Sequence, residues 1–428
     1  MTTSTYDGTP APRVKARTCR ACGDYLETIL HLGNLHPSAF PAIGEAPHPA
    51  APLDFCRCRS CRLVQLRHTV DPDLLFRDQY WYRSSINEVM RAELADVVAG
   101  AIARVPSFTY KDFVVDIGAN DGTLLAAYRT HSTAREVPRI AFEPATNLQS
   151  ALAPHAEVVV PDYFPQGATQ LAGLQGRGKV ISSIACFYDL DDPHTFVQGI
   201  ADALTPDGVW VVQFQDLHQM VQATAFDNCC HEHLCYYSLG SFEQVIAPHG
   251  LVVVDAEVRA INGGSYRLWV QQAGGPLAAR PGGLSRLLRV RQLEAGCDDW
   301  DTLEQFAWRV GEARRQIQGA VEAELTAGGN VDVYGASTKG NTLLQYCGLG
   351  PETIRWALER SPEKWGRTTA TGIPIVREEA GRADPVSAWL VNIWQFHDHV
   401  IQREAAYLAQ GRTLIFPLPQ VEIVTNGK

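Results

Sequence analysis

Four cysteines in two Cys-x-x-Cys pairs offer the first chemistry in this chain: Cys19 and Cys22 in "TCRACG", Cys58 and Cys61 in "CRCRSCRLVQL". A two-residue gap lets two thiolates reach one ion, and two such pairs supply the four soft ligands of a closed tetrahedral zinc site. Disulfides or a redox dithiol are the alternatives. The total of 11 cysteines is odd, and no apolar leader precedes Cys19. Both points argue against a secreted disulfide scaffold and for the cytoplasm. Cys56 is a competing donor, but Cys58 completes the CxxC spacing and is the expected ligand.

A second chemistry lies in "VVDIGANDGTLL", which carries Asp116, Gly118, Asn120, Asp121 and Gly122 where a strand meets a helix. Gly118 permits close backbone approach to a ligand, and Gly122 eases helix packing. The turn is neither G-x-G-x-x-G nor a lysine-bearing phosphate loop. An acid inside it suits a ligand carrying an amine, so the ammonium and sulfonium of S-adenosylmethionine fit. Glu143, ending the next strand in "AFEP", is placed to accept both ribose hydroxyls; Asp162 and Tyr163 would border the adenine. A third group, His231, Glu232 and His233, stands in "AFDNCCHEHLCYYSL". Such a histidine can take a proton from carbon beside a carbonyl, with the carboxylate orienting it. Surface histidines or a second metal site are the alternatives; HEH is not HExxH. In "VYGASTKGNTLL", Lys339 and the amides of a helix N-terminus could bind phosphate, or the segment is a plain βα turn. Trp365 and Arg367, in "PEKWGRTTATGIPI", could flank a base or phosphates.

Alternating elements must hold these residues. Short apolar runs ("FVVDIG", "RIAFEP", "AEVVVPDYF", "KVISSIACF", "GVWVVQFQ") alternate with helical stretches, which predicts a parallel sheet covered on both faces. A helix is expected from about Asn87. "LVVVDAEVRAI" and "SYRLWVQQA", joined by Asn-Gly-Gly, predict two closing antiparallel strands. Residues 280–327 read as charge-laced helices, and a second α/β set follows from "VDVYGAS" to "LIFPLP". The expected α/β organisation is a zinc module with little core of its own (11–75), a Rossmann-like cofactor domain (76–275) and a second Rossmann-like unit (276–428). The chain has 428 residues and a formal net charge of -10, which argues against nucleic-acid partners. No stretch is apolar over a membrane-spanning length. Monomer and homodimer both stay open.

Together these motifs resemble the sugar C-methyltransferases of deoxysugar biosynthesis, which act on nucleotide-linked 4-keto-hexoses. The likeness runs over nearly the whole length: "CRACG…CRSCRLVQL" resembles the family's zinc-binding domain, "DIGANDGTLL" its S-adenosylmethionine turn, and "FDNCCHEHLCYYSL" its active-site loop. "NGGSYRLWV", "YGASTKGNTLLQYCGL" and "LIFPLP" resemble its C-terminal domain. The resemblance implies carbon methylation at C3, beside the C4 ketone, with His233 as base, Glu232 and His231 beside it, and Tyr82 on the opposite wall. It implies a nucleotide-diphosphate sugar between the middle and C-terminal lobes, touched by Ser265, Lys339, Asn341, Trp365 and Arg367. The chain departs from the family pattern on the substrate side. Cys230 replaces a tyrosine, "SIACFYD" replaces Asn-Val-Leu-Ala-His, Asn262 replaces a histidine, and "NIWQF" stands for "PWHF". A different keto-sugar is the expected consequence. O- or N-methylation, proton transfer alone, and a non-catalytic binding protein are the alternatives.

Overall fold

The computed structural model describes residues 14–167, 173–279 and 281–425. Residues 11–13, at the start of the expected zinc module, lie outside them. The central sheet has seven strands in the order Leu251–Arg259, Ser265–Gln272, Leu204–Gln215, Gly178–Ile184, Phe113–Ile117, Arg139–Phe142, Val158–Val160. The five strands from Leu204–Gln215 onward run parallel, as their buried β-branched runs require. Ser265–Gln272 inserts antiparallel between its two neighbours. The strand order reverses between Phe113–Ile117 and Gly178–Ile184, which opens a crevice at their carboxyl ends. The antiparallel hairpin turns on Asn262, Gly263 and Gly264, all at positive φ.

The expected helix is Glu88–Arg104, with the Asn87 side chain accepting from Val89 N as its N-cap. Such a cap is worth about 1 kcal/mol. It packs on Thr123–Tyr128, the helix that leaves the glycine turn. The long helix Trp300–Thr326 leads to the second sheet. That sheet has six strands in the order Ile375–Arg377, Ile354–Glu359, Val331–Tyr334, Ala388–Val391, Thr413–Phe416, Glu422–Val424, and only the last is antiparallel. Its order reverses beside Val331–Tyr334, next to the second glycine turn.

The N-terminal segment departs from expectation. It forms a four-stranded antiparallel sheet, Leu26–Leu35, Ala51–Cys58, Val64–Leu66 and Cys235–Tyr236, whose last strand comes from the HEH loop. Leu26, Leu53, Phe55 and Leu66 are buried in one continuous apolar core with Trp210, Phe242 and Trp389. The module therefore shares the core of the molecule. Its sequence looked core-poor because its apolar partners lie far along the chain.

Candidate active site

At the carboxyl end of Phe113–Ile117, Gly118, Asn120 and Gly122 all take positive φ. A Cβ at Gly118 would stand 3.1 Å from Cys186 Cβ, so the backbone passes where a side chain cannot. Asp116 is buried and accepts from Ser182 Oγ at 2.6 Å. Burial pushes its carboxyl up to about 7, and the Glu143 charge adds to the rise. Glu143 accepts from Asn120 N (2.7 Å) and Ala145 N (2.9 Å). Each of its oxygens keeps a lone pair for a ligand hydroxyl, while the two amides fix the carboxylate's direction. Asp162 accepts from Arg77 Nη2 at 2.9 Å, which holds it below the usual carboxylate range.

Asp116, Gly118, Asn120, Glu143 and Asp162 line one cavity of about 450 Å³. Tyr163, Asp189, His231, Glu232 and Asn262 line the same cavity. Tyr82, 40% exposed, lines the same cavity. The segment carrying Tyr82 is tied down by the glycine turn. Asn120 Nδ2 donates to Tyr82 O (3.1 Å), Asn120 Oδ1 accepts from Ser84 N (3.0 Å), and Asp121 Oδ2 accepts from Ser85 N (2.9 Å). Asp121 does not line the cavity; its carboxylate is occupied by Ser85 and Thr123.

In the HEH loop, His233 Nδ1 lies 3.0 Å from Asn228 O. A carbonyl only accepts, so Nδ1 carries the proton and Nε2 keeps its lone pair. Burial first, and then the Lys339 charge, push His233 down to about 3, so the ring is neutral. Tyr188 packs edge-on against it at 4.6 Å. His231 binds Ala51 O at 3.1 Å and is buried. Glu232 is buried, with Oε2 unpartnered, and burial pushes it up to about 7. Asp189 is raised by burial and by the Glu232 charge. Cys230 is buried, and burial, with the charges of Glu232 and Asp189, pushes its thiol up.

The other expected substrate residues separate. Lys339 Nζ donates to Asn262 O (3.2 Å) and Gln215 Oε1 (3.3 Å), and its charge is felt at Asp227, Cys230 and His233. Ser265 Oγ donates to Ile261 O and is buried. Asn341 is engaged at both ends, by Ala39 O and Ala370 N. Trp365 is 40% exposed and donates to Glu359 O. Arg367 donates to Phe40 O at 3.0 Å and stacks over Trp81. Around Lys339 the buried Gln215 Nε2, Asp227 Oδ1, Asn228 Oδ1 and both amide atoms of Asn392 have no hydrogen-bond partner. Asp227 and Asn228 stand inside the quoted loop motif, and Asn392 inside "NIWQF". Nothing in their types distinguished them from loop-formers.

The four thiols meet as their spacing implied. The Sγ atoms of Cys19, Cys22, Cys58 and Cys61 all lie within 4.8 Å of one another. Gln65 Nε2 and Ala21 N point at Cys19 Sγ, as amides do toward a thiolate. Cys56 lies near Thr28 and Asp54 O, outside the group. Four sulfurs at this separation fit tetrahedral zinc, where Zn–S is about 2.3 Å.

A Rossmann-like sheet with an acidic glycine turn at its reversal point, closed by an antiparallel hairpin, defines a methyltransferase. Family models match the chain for a zinc binding domain (residues 19–76), a methyltransferase domain (87–256) and a C-methyltransferase C-terminal domain (260–419). The C-methyltransferase NovU of Streptomyces niveus is 30% identical over 417 residues, 95% of this chain and 96% of that protein. The chain belongs to this three-part family of C-methyltransferases. Among solved structures, the 1,6-didemethyltoxoflavin-N1-methyltransferase of Burkholderia thailandensis, with S-adenosylhomocysteine bound, is 12% identical over 44% of this chain and 80% of that one (TM-score 0.33). An S-adenosylmethionine-dependent methyltransferase of Clostridium acetobutylicum is 10% identical over 43% and 92% (TM-score 0.33). Among the described residues, no helix is long and apolar enough to cross a membrane.

Proposed function

We propose that the enzyme transfers a methyl group from S-adenosylmethionine to C3 of a nucleotide-linked 4-keto-deoxysugar, with His233 as the base. The supporting observation is the single cavity that joins Asp116, Gly118 and Glu143 to His231 and Glu232, the neighbours of His233 in the HEH loop. The Gly118 backbone leaves room that a Cβ would fill, and Glu143 keeps acceptor capacity for a ribose. Asp162 puts negative charge on the cavity wall, and Asp116 adds a charge there when a cationic ligand takes the place of its proton. When bound, the donor supplies a methyl carbon made electrophilic by its sulfonium.

The chain's own residues do the rest. His233 presents an unprotonated Nε2, and Asn228 O fixes its tautomer. Glu232 and Asp189 line the cavity, while burial and then the Lys339 charge set the acidity of His233. Tyr80, Tyr82 and Ser84, in the segment held by Asn120 and Asp121, form part of the cavity wall. The orphaned polar atoms of Gln215, Asp227, Asn228 and Asn392 call for a polar ligand between the lobes, because unpaired buried groups cost about 1–3 kcal/mol each. Trp365 and Arg367, farther out on the C-terminal lobe, are the proposed nucleotide contacts. Zinc held by Cys19, Cys22, Cys58 and Cys61 is structural in this reading, because four protein ligands leave no open position.

The test is mass spectrometry of products from a panel of keto-sugar nucleotides and isotopically labelled methyl donor. Label bound to sugar carbon is the expected result. Label on oxygen or nitrogen, or deuterium exchange without methyl transfer on every substrate, would overturn it.

A further inference from the structure

Lys339 read as a phosphate ligand in sequence, but its surroundings in the structure are those of a different task. It sits in the first turn of the helix Thr338–Cys347, capped by Ser337. Its ammonium is buried, which pushes it below the usual lysine range against the opposing Asp227 charge. It reaches away from that helix, to Asn262 O at the hairpin turn and Gln215 Oε1 at a strand end of the central sheet. Both bonds are long, 3.2 and 3.3 Å, and both acceptors are neutral. An ammonium has three donors, so one remains.

The neighbours decide what that donor can serve. Asp227 is buried, held through Oδ2 by Trp394 Nε1 at 2.9 Å, and its charge interacts with that of Lys339. A nearby carboxylate repels a diphosphate and halves what a single ammonium can offer it. The same carboxylate opposes a ketone less, because a ketone is neutral when bound and gains at most one charge, fewer than a diphosphate carries, as its neighbouring proton leaves. Interactions that strengthen only in the transition state are the ones that accelerate chemistry. His233, the proposed base, feels the Lys339 charge directly. Asn262, which Lys339 holds by its carbonyl, lines the cavity that contains Gly118 and Glu232.

Resting on the reaction proposed above, we infer that Lys339 is a catalytic residue whose ammonium pairs with the ketone oxygen of the sugar as the enolate forms. The C–H bond beside the ketone breaks and its proton goes to His233 Nε2. The bonding pair becomes the carbon–carbon double bond, and the carbonyl π pair moves onto oxygen, opposite the ammonium. The reverse step returns a proton, or a deuteron, to the same carbon. The arrangement also reinforces the base. Positive charge on Lys339 holds His233 down; negative charge growing on the oxygen cancels that influence as the imidazole takes up its proton.

The experiment uses the full-length protein with thymidine-diphosphate-linked 4-keto-6-deoxyglucose in deuterium oxide, without methyl donor. Proton exchange beside the ketone is followed by NMR. Lys339→Met is expected to slow exchange on the order of 100- to 1,000-fold, the range for loss of one oxyanion donor. Affinity for thymidine diphosphate alone, by calorimetry, is expected to stay within about threefold. Lys339→Arg keeps the charge and is expected to recover part of the exchange, and it stands in if the Met variant fails to fold. Unchanged exchange in both variants overturns the inference and leaves the reaction standing. So does a large loss of thymidine diphosphate affinity with exchange at saturation intact, which returns Lys339 to phosphate binding. No exchange in the wild-type protein on this sugar or on any other of the keto-sugar panel overturns the reaction itself, and this role with it.

Discussion

The tautomer of His233, the proposed base, is fixed by a contact that no spacing rule encodes. Asn228 O, five residues upstream, pins Nδ1–H and leaves Nε2 with its lone pair. His233→Ala is therefore expected to abolish exchange beside the ketone while S-adenosylhomocysteine affinity, measured by calorimetry, stays within about twofold; normal exchange would remove it as the base. Glu143→Ala should act oppositely, weakening donor binding about 10- to 100-fold, the cost of one or two lost hydrogen bonds to a charged group. The residue types at the site were readable, since glycines, acids and histidines stood in motifs after apolar runs. Their detailed duties were not. Asn120 and Asp121 read as cofactor contacts, yet their side chains hold the backbone of residues 82–85, a segment about 36 positions away in sequence. Long-range contacts of this kind leave no local signal.

Strands and helices were legible where apolar periodicity was strong, from Phe113–Ile117 through Ser265–Gln272 and again from Val331–Tyr334. The strand Cys235–Tyr236 was not, because two residues carry no periodicity and its partner Val64–Leu66 lies in another module. That pairing, with Leu66 N donating to Leu234 O at 2.9 Å, fastens the HEH loop to the cysteine-held sheet. His231 adds a bond to Ala51 O in the same sheet. Gln65, in the pairing strand, reaches back to Cys19 Sγ. Metal removal should consequently loosen the catalytic loop as well as the module. Chelation, or Cys58→Ser, is expected to raise deuterium uptake in peptides covering 231–237 by hydrogen-exchange mass spectrometry, together with loss of bound zinc and of stability. Cys56→Ser should keep full metal content. Unchanged protection in 231–237 after chelation would show that the loop does not depend on the metal.

Across the whole molecule, folding buries an excess of carboxyls that want their protons. Asp116, Glu232 and Glu294 are pushed up to about 7 and Asp216 to about 6, mainly by burial. Each holds a proton in the folded chain that the unfolded chain has released near pH 4. The stability each contributes is fully present below the unfolded value and is lost as pH rises through the folded one. His231 (about 4) and His233 (about 3) act in the other sense, supporting the fold above about pH 6.5 and losing that support as pH falls. The two sets offset each other between pH 4 and 6.5, while above that, of these groups, only the carboxyls still change. Donor-free protein should lose stability from pH 6 to pH 8, by about 1 kcal/mol for each carboxyl near 7. Asp116→Asn should remove one such share, which urea denaturation at the two pH values would resolve. A cationic methyl donor beside Asp116 gains what the proton loses, so its stabilising effect should be larger at pH 8 than at pH 6. Equal pH dependence in wild-type and Asp116→Asn protein would mean that Asp116 does not titrate in this range, and the electrostatic case for a cation at the glycine turn would fall with it.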